Sequence, residues 1–142
     1  YCHSLGVVHT DLKPENILLL NEAAALELTP HAAIGDWGVA QCMKQVRHGT
    51  PGYISPEVLN RQPGTTKSDI FSFGAVVFYM MTCTHAFSHK DHQSPGANAD
   101  FRAMHARGPG SRVVQGVVEN GASWDKLGGA QQLVRGMLPM DP

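Results

Sequence analysis

The sequence predicts a mainly α-helical domain with one small β-hairpin, and three segments carry this prediction. Residues 68–82 (SDIFSFGAVVFYMMT) place apolar side chains on nearly every helical face, with Ser68 as the N-cap, and predict a buried helix. Residues 129–138 predict a final helix ahead of the terminal MDP. Residues 17–20 form a short apolar run that predicts a strand, and residues 31–35 predict its antiparallel partner.

The other segments carry weaker patterns. Residues 39–67 are rich in Gly, Pro and Gln without a sustained period and predict an extended loop. Residues 100–106 predict a short helix, and residues 112–119 show no decisive pattern. One segment contains four potential zinc ligands whose spacing matches no closed site, and we interpret it as a polar loop: Cys83, His85, His89 and His92.

Composition excludes several functional classes. The 142 residues suit one domain, and 42% hydrophobic with 16% charged residues argues against a disordered segment. A net charge of −1 provides no attraction to nucleic acid or acidic lipid, so we expect no nucleic-acid partner. The apolar stretch 73–83 is too short to cross a bilayer, so we expect no membrane partner. Three widely spaced cysteines favour a reducing, intracellular and cytoplasmic location.

The stretch HTDLKPEN (9–16) places two acids, a lysine and an asparagine just before the first predicted strand. A solvated turn has a similar composition, so the motif indicates a site only if partners exist elsewhere in the chain. If 17–20 pairs with 31–35, Asn16 enters the hairpin where Asp36 leaves it, and the two residues face each other across about 5 Å. Their oxygen atoms are ligands that Mg²⁺ prefers.

The residues before Asn16 are expected to approach the same end of the hairpin. Pro14 disfavours helical geometry at Lys13, so Asp11 and Lys13 should lie on an extended loop. An acid, an ammonium group and two metal ligands then converge. This arrangement suits phosphoryl transfer, because that reaction depends on positioning and charge neutralisation.

Four motifs in series resemble those of a eukaryotic-type protein kinase of the Ser/Thr class. HTDLKPEN resembles the catalytic loop, DWG (36–38) the metal-binding motif, GTPGYISPE (49–57) the end of the activation segment, and SDIFSFG (68–74) the anchoring helix. The resemblance implies a kinase-like C-terminal lobe (α+β) with the N-terminal lobe absent. It assigns residues 1–142 to a partial protein kinase domain, from the catalytic loop to the penultimate helices.

The resemblance implies transfer of the γ-phosphate of ATP, with Mg²⁺, to a Ser or Thr hydroxyl of a protein substrate. Asp11 would orient the acceptor hydroxyl and take its proton, and Lys13 would neutralise the γ-phosphate. Asn16 and Asp36 would hold Mg²⁺. Thr50 would bridge Asp11 and Lys13 and position the substrate.

Other positions take supporting roles by the same resemblance. Glu15 would approach the ribose of ATP through its backbone carbonyl, with a solvated side chain as the alternative, and Leu18 would form the apolar floor beneath adenine. The remaining positions would be structural. His9 and Trp37 would stack in an apolar column, and Glu57 would pair with a later arginine. Asp69 would hold the backbone around His9.

The sequence departs from the kinase pattern at Thr10, where many kinases carry the arginine that receives an activation-loop phosphate. Residues 39–48 contain no Ser, Thr or Tyr, so receptor and phosphoacceptor are missing together. We therefore expect that phosphorylation within this segment does not activate the protein. Trp37 replaces the usual phenylalanine, and its indole N–H needs a partner.

Residues 1–142 contain no Gly-rich phosphate loop, strand lysine or pairing helix glutamate. The family order places these parts before Tyr1 and the arginine partner of Glu57 after Pro142. We therefore expect a piece of a longer protein, an unpaired Glu57, and weak ATP binding with poor phosphate transfer by the chain alone. Two alternatives stay open: a pseudokinase or scaffold that binds partners through 83–125, and a truncated product without a function.

Overall fold

The computed structural model describes residues 1–20, 31–43, 46, 48–82, 85–86 and 129–138. Within these residues the regular elements are strands β1 (Val7–Val8), β2 (Ile17–Leu19), β3 (Ala32–Ile34) and β4 (Gln41–Cys42), and helices α1 (Pro56–Leu59), α2 (Thr66–Thr82) and α3 (Gly129–Met137). Three short 3₁₀ turns complete them, at Cys2–Leu5, Pro14–Asn16 and Trp37–Val39.

Strands β2 and β3 form the predicted antiparallel hairpin. Ile17 lies opposite Ile34, and Leu19 lies opposite Ala32. The Gly35 amide donates a hydrogen bond of 2.8 Å to the Asn16 carbonyl, which continues the ladder by one residue. The prediction that these two segments pair is therefore confirmed, and the backbones of residues 16 and 35 meet at one end of the hairpin.

A second sheet joins two parts of the chain that are far apart in sequence. Strand β1 pairs antiparallel with β4, so that Val7 lies opposite Cys42 and Val8 lies opposite Gln41. The pairing places the segment that follows Asp36 alongside the strand that precedes the catalytic loop. The expected extended loop over 39–67 is wrong in this respect, because it contains both β4 and helix α1.

The predicted fold class, mainly α with one small β-hairpin in a kinase-like lobe, is wrong. The described residues form two separate two-stranded sheets. Strands of two residues, such as β1, are too short to show an alternating apolar pattern, and the partners of such strands cannot be inferred from local sequence. The sequence therefore under-predicts the β structure of the chain.

Helix α2 begins two residues earlier than predicted, and Ser68 is not its N-cap. The Lys67 amide donates to the Thr65 hydroxyl at 3.2 Å, and the Thr65 amide donates to the Ser68 hydroxyl at 3.0 Å. This reciprocal pair is a capping box in which Ser68 takes the place of the usual Glu or Gln. The sequence TTKS therefore starts the helix at Thr66.

The core lies between α2 and α3. Val134 and Leu138, the latter one residue beyond α3, are buried against α2. The cluster of buried residues comprises Tyr53, Leu59, Phe71, Ala75, Val76, Phe78, Ala86, Val134 and Leu138. Helix α2 is thus buried on several sides, as its apolar sequence predicts. No helix among the described residues is long and apolar enough to cross a membrane.

Several predictions fall on residues that the structure does not describe. These are the short helix at 100–106, the segment 112–119, and the potential zinc ligands Cys83, His89 and His92. His85 is described, and its ring lies between those of Tyr53 and Tyr79, with Nδ1 at 3.2 Å from the Tyr53 hydroxyl. In the described part of the chain, no group of three or more His, Cys, Asp or Glu residues could hold a metal ion.

Candidate active site

The loop before β2 is shaped by Pro14. Lys13 has extended backbone angles (φ −153°, ψ 165°), because the proline ring excludes helical geometry at the preceding residue. Residues Pro14–Asn16 then form a single 3₁₀ turn that leads into β2. The Lys13 Nζ lies 2.6 Å from Asp11 Oδ2, so the loop brings the ammonium group and the carboxylate into direct contact.

Thr50, the second residue of the activation-segment motif (49–57), contacts this pair. Its hydroxyl donates to Asp11 Oδ1 and lies 3.4 Å from Lys13 Nζ. Burial raises the pKa of the Asp11 carboxyl, but hydrogen bonds from Lys13 and Thr50 and the charge of Lys13 outweigh burial and hold this pKa below its usual value. Asp11 is therefore ionised at neutral pH, with both carboxylate oxygens engaged.

Asn16 and Asp36 lie at the same end of the hairpin, because Asn16 is bonded to Gly35, the residue before Asp36. Asn16 is buried, and its Nδ2 donates to the Asp11 carbonyl at 2.8 Å, so the Oδ1 end of the amide is left for a ligand. Asp36 is exposed and has left-handed backbone angles (φ 53°, ψ 60°). Its charge contributes to the raised pKa of Lys13, whose largest cause is the hydrogen bond to Asp11. The negative charge of Asp36 therefore stabilises the positive charge of Lys13.

The donor set of Asn16 and Asp36 fits Mg²⁺. A neutral amide oxygen and a carboxylate are hard oxygen ligands, and two protein ligands leave room for phosphate oxygens and water around an octahedral ion. The left-handed conformation of Asp36 is one that Asp and Asn tolerate better than most residues. Backbone strain of this kind concentrates at functional sites.

Asp69 fastens the start of the catalytic loop to helix α2. This carboxylate is only 2% exposed, and it accepts hydrogen bonds from the His9 amide at 2.8 Å and the Thr10 amide at 3.0 Å. His3 Nε2 also lies 2.8 Å from Asp69 Oδ2. The contact with the backbone of His9 is the one that the resemblance implies, and the contact with His3 was not predicted.

His9 connects the catalytic loop to the residue before Asp36. Its Nε2 lies 2.8 Å from the Gly35 carbonyl, which can only accept, while its Nδ1 accepts from the Asp11 amide at 3.3 Å. The Trp37 ring meets His9 edge-on at 4.8 Å between centroids, rather than stacked as the resemblance implies. The Trp37 indole N–H finds the partner that it needs in the Ile34 carbonyl, at 2.8 Å.

The remaining predicted positions lie around this centre. Leu18 is 51% exposed on β2, and Glu15 is an exposed residue of the Pro14–Asn16 turn. Glu57 has no ion-pair partner among the described residues, but the Ser68 hydroxyl donates to Glu57 Oε1 at 2.6 Å, a contact that was not predicted. The same Ser68 hydroxyl serves the capping box of α2, so it joins α1 to the start of that helix.

Two residues of the site were missed as contributors by sequence reasoning. The Thr10 hydroxyl donates to the Val39 carbonyl at 3.1 Å, and His3 reaches Asp69 from the first turn of the chain. The position of Thr10 directly before Asp11 was the available signal, but its bond depends on a backbone angle that sequence does not reveal. His3 offered no signal, because its partner is distant in sequence.

Comparison with known proteins identifies the family. The sequence model of the protein kinase domain matches residues 1–142. The chain belongs to the protein kinase family. It is 33% identical to ribosomal protein S6 kinase alpha-3 of Homo sapiens over 141 residues, and 43% identical to calcium/calmodulin-dependent protein kinase type II of Caenorhabditis briggsae over 88 residues. It is 35% identical to serine/threonine-protein kinase H1 of Homo sapiens over 94 residues.

The extent of these matches differs between the chain and its relatives. The three alignments cover 82%, 57% and 61% of the chain, but only 18%, 15% and 21% of the respective relatives. The family match extends over residues 1–142 with the N-terminal region included. The prediction of a C-terminal lobe with the N-terminal lobe absent is therefore wrong as a description of this kinase domain chain.

Proposed function

We propose that this chain contributes the phosphoryl-transfer site of a Ser/Thr protein kinase, which moves the γ-phosphate of ATP to a hydroxyl of a protein substrate. The observation that carries the proposal is the contact of two separate segments, in which Asp11 is bound by Lys13 of its own loop and by Thr50. A solvated turn needs no such partners. The Ser/Thr kinases among its relatives support the same substrate class.

Asp11 positions the acceptor hydroxyl and receives its proton. The hydroxyl oxygen forms a bond to the γ-phosphorus, the bond from that phosphorus to the leaving oxygen of ADP breaks, and the hydroxyl proton passes to the Asp11 carboxylate. The low pKa of Asp11 makes it a weak base, so its main contribution is orientation until the proton becomes acidic late in the transfer. Lys13 Nζ neutralises charge on the transferring group.

Asn16 and Asp36 are the residues that would hold Mg²⁺. When bound, this ion neutralises phosphate charge and orients the phosphate chain. The Asn16 amide is oriented by its bond to the Asp11 carbonyl, which couples the metal ligand to the residue that positions the acceptor. The exposed Leu18 and the backbone at Glu15 supply the adenine and ribose contacts in this proposal.

The same proposal includes a cytoplasmic location. The wide spacing of Cys2, Cys42 and Cys83 supports this proposal, because a disulfide framework is not indicated by it. A serine- or threonine-containing protein is the substrate.

Radiolabelled phosphate transfer by the full-length protein tests this function. Asp11→Asn keeps the size of the side chain but cannot take the proton, and we expect transfer to fall at least a hundredfold. Lys67→Gln, a charge-removing change at an exposed residue outside the site, is the control and should leave the rate within about twofold. Equal activity of wild type and Asp11→Asn would remove Asp11 from the reaction and overturn the proposal.

A further inference from the structure

Thr10 has an unusual backbone conformation that two hydrogen bonds maintain. Its φ of 74° is rare for a β-branched residue. The side chain is buried, the amide donates to Asp69 Oδ1 at 3.0 Å, and the hydroxyl donates to the Val39 carbonyl at 3.1 Å. The backbone directly before Asp11 is therefore attached both to α2 and to the segment behind Asp36.

The turn that carries Asp36 is attached to the catalytic loop at both ends. Directly before Asp36, the Gly35 amide donates to the Asn16 carbonyl and the Gly35 carbonyl accepts from His9, each at 2.8 Å. After Asp36, Val39 ends the 3₁₀ turn Trp37–Val39, and its carbonyl accepts the bond from the Thr10 hydroxyl. Among the described residues, removal of the Thr10 hydroxyl would leave the Asp36 turn with its Gly35 hydrogen bonds, the edge-on contact of Trp37 with His9 and the more distant β1–β4 pairing.

We propose that Thr10 is a positioning residue, whose hydroxyl holds the turn that carries Asp36 against the catalytic loop and thereby sets the Mg²⁺ affinity of the site. This inference rests on the proposed function. The bond is neutral and needs no phosphate on the following segment, and residues 39–48 contain no hydroxyl that could carry one. Thr10 acts through Asp36 and does not touch the reacting atoms.

Two substitutions separate the hydroxyl from the rest of the side chain. Thr10→Val keeps the β-branched shape and the backbone preference but removes the donor, whereas Thr10→Ser keeps the donor. Val39 is 46% exposed as a residue, so water can approach the segment in Thr10→Val and the fold should survive. One neutral hydrogen bond corresponds to about a fivefold change in an equilibrium, so the half-saturating Mg²⁺ concentration should rise about fivefold.

A control variant tests for a general loss of stability. Thr65→Val also removes one hydroxyl bond, at the start of α2, where the Thr65 hydroxyl accepts from the Lys67 amide at 3.2 Å. This change should lower the thermal midpoint at least as much as Thr10→Val. It should leave the Mg²⁺ requirement unchanged, because Thr65 has no contact with the Asp36 turn among the described residues.

The experiment measures binding and transfer in the full-length protein. Binding of labelled ATP is followed by equilibrium dialysis across a Mg²⁺ titration, and transfer to a serine peptide is measured at limiting and saturating Mg²⁺. We expect Thr10→Val to shift the Mg²⁺ titration, with near-normal transfer at saturating Mg²⁺, and Thr10→Ser to match wild type. A Thr10→Val titration that overlays wild type overturns the inference, and so does a Thr10→Ser titration that shifts as far as Thr10→Val.

The binding arm distinguishes this inference from the proposed function. If wild type binds ATP with Mg²⁺ but transfers no phosphate, the proposed function fails, and a shifted Thr10→Val titration still supports the role of Thr10. If wild type binds no ATP at any Mg²⁺ concentration, both are overturned.

Discussion

At the residue scale, Asp11 is a charged side chain in which each carboxylate oxygen accepts a hydrogen bond. Its side chain is 17% exposed, and Lys13 and Thr50 each engage one oxygen. Both bonds favour the ionised form, so the pKa of Asp11 is lower in the folded protein than in the unfolded chain. A group with a lowered folded pKa stabilises the fold above its unfolded pKa and loses that effect as the pH falls through the folded pKa.

The pH dependence of stability tests this statement. The difference in unfolding free energy between wild type and Asp11→Asn should be constant from about pH 8 to about pH 5, because Asp11 is ionised in both folded and unfolded states there. Below about pH 4 the difference should decrease, as the unfolded chain begins to take up the proton. Urea unfolding at a series of pH values measures it. A difference that increased as the pH fell from about 8 to about 6 would show that the Asp11 pKa is raised instead.

The identity of these residues could be predicted from sequence, but several of their contacts could not. Asp11, Asn16 and Asp36 stand in motifs whose spacing is local or set by one hairpin. The bond from Thr10 to Val39 depends on a left-handed backbone angle at Thr10, which its sequence does not favour. The bond from Ser68 to Glu57 was not predicted, because Ser68 lies within the first turn of α2 rather than before the helix.

At the scale of elements, helix α2 supplies the anchor for the catalytic loop. Asp69 lies in its first turn and is almost fully buried, yet it faces two backbone amides and His3. A buried carboxylate is costly unless such donors satisfy it, and the donors are equally costly without it. The helix and the loop therefore stabilise each other through one side chain.

Substitution of Asp69 by Asn should weaken this anchor. The amide has only one accepting oxygen and presents an NH₂ group to one of the donors, so we expect a loss of about 2–4 kcal/mol in unfolding free energy. Transfer activity should also fall, because the backbone before Asp11 loses its support. Urea denaturation measures the loss, and the exposed Glu15→Gln change is the control, expected within about 0.5 kcal/mol of wild type. An Asp69→Asn protein as stable as that control would refute the anchoring role.

Elements with a strong local pattern were predictable, and short ones were not. The run ILLL predicted β2, and the apolar segment 68–82 predicted most of α2. Strand β4 has two residues, Gln41 and Cys42, of which neither signals a strand, and its partner β1 is distant in sequence. Helix α1 is one turn of four residues within a segment rich in Gly and Pro. Tertiary contacts decide such elements.

At the scale of the whole molecule, close packing of α2 on α3 holds the core together. A Cβ atom at Gly74 would lie 2.7 Å from Met137 Cβ and 3.1 Å from Leu138 Cγ. Met137 Cβ is bonded directly to the backbone and cannot move away without it. The absence of a side chain at Gly74 therefore permits the two helices to approach.

Two glycine substitutions test this approach. Gly74→Ala gains about 1 kcal/mol of helix propensity but should lose about 1–3 kcal/mol to overpacking, so the thermal midpoint should fall. Gly136→Ala is the matched control, because its added Cβ meets no atom of the described residues within 4 Å. That variant should gain about 0.5–1 kcal/mol and melt higher. Equal midpoints for the two variants in calorimetry would show that α2 and α3 are not in close contact at Gly74.

The site itself is a property of the whole fold, since it joins residues from the catalytic loop, the hairpin, the activation-segment motif and α2. Sequence motifs indicated which residues these are, and the hairpin geometry predicted that Asn16 and Asp36 enter and leave it at the same end. The second sheet, which directs the segment after Asp36 past the catalytic loop, was not predictable because its strands lack a pattern. Thus the candidate residues were easier to name from sequence than the second sheet that positions them.

The Mg²⁺ dependence of phosphate transfer in Asp36→Asn full-length protein is the most direct test of the proposed site. The amide keeps the shape of the side chain but removes the charge that would bind the ion, so transfer should fall at least a hundredfold at ordinary Mg²⁺ concentrations. High Mg²⁺ should restore part of the activity, while the thermal midpoint stays within a few degrees of wild type. Transfer by Asp36→Asn at the wild-type rate, with an unchanged Mg²⁺ titration, would show that the hairpin end does not hold the catalytic metal.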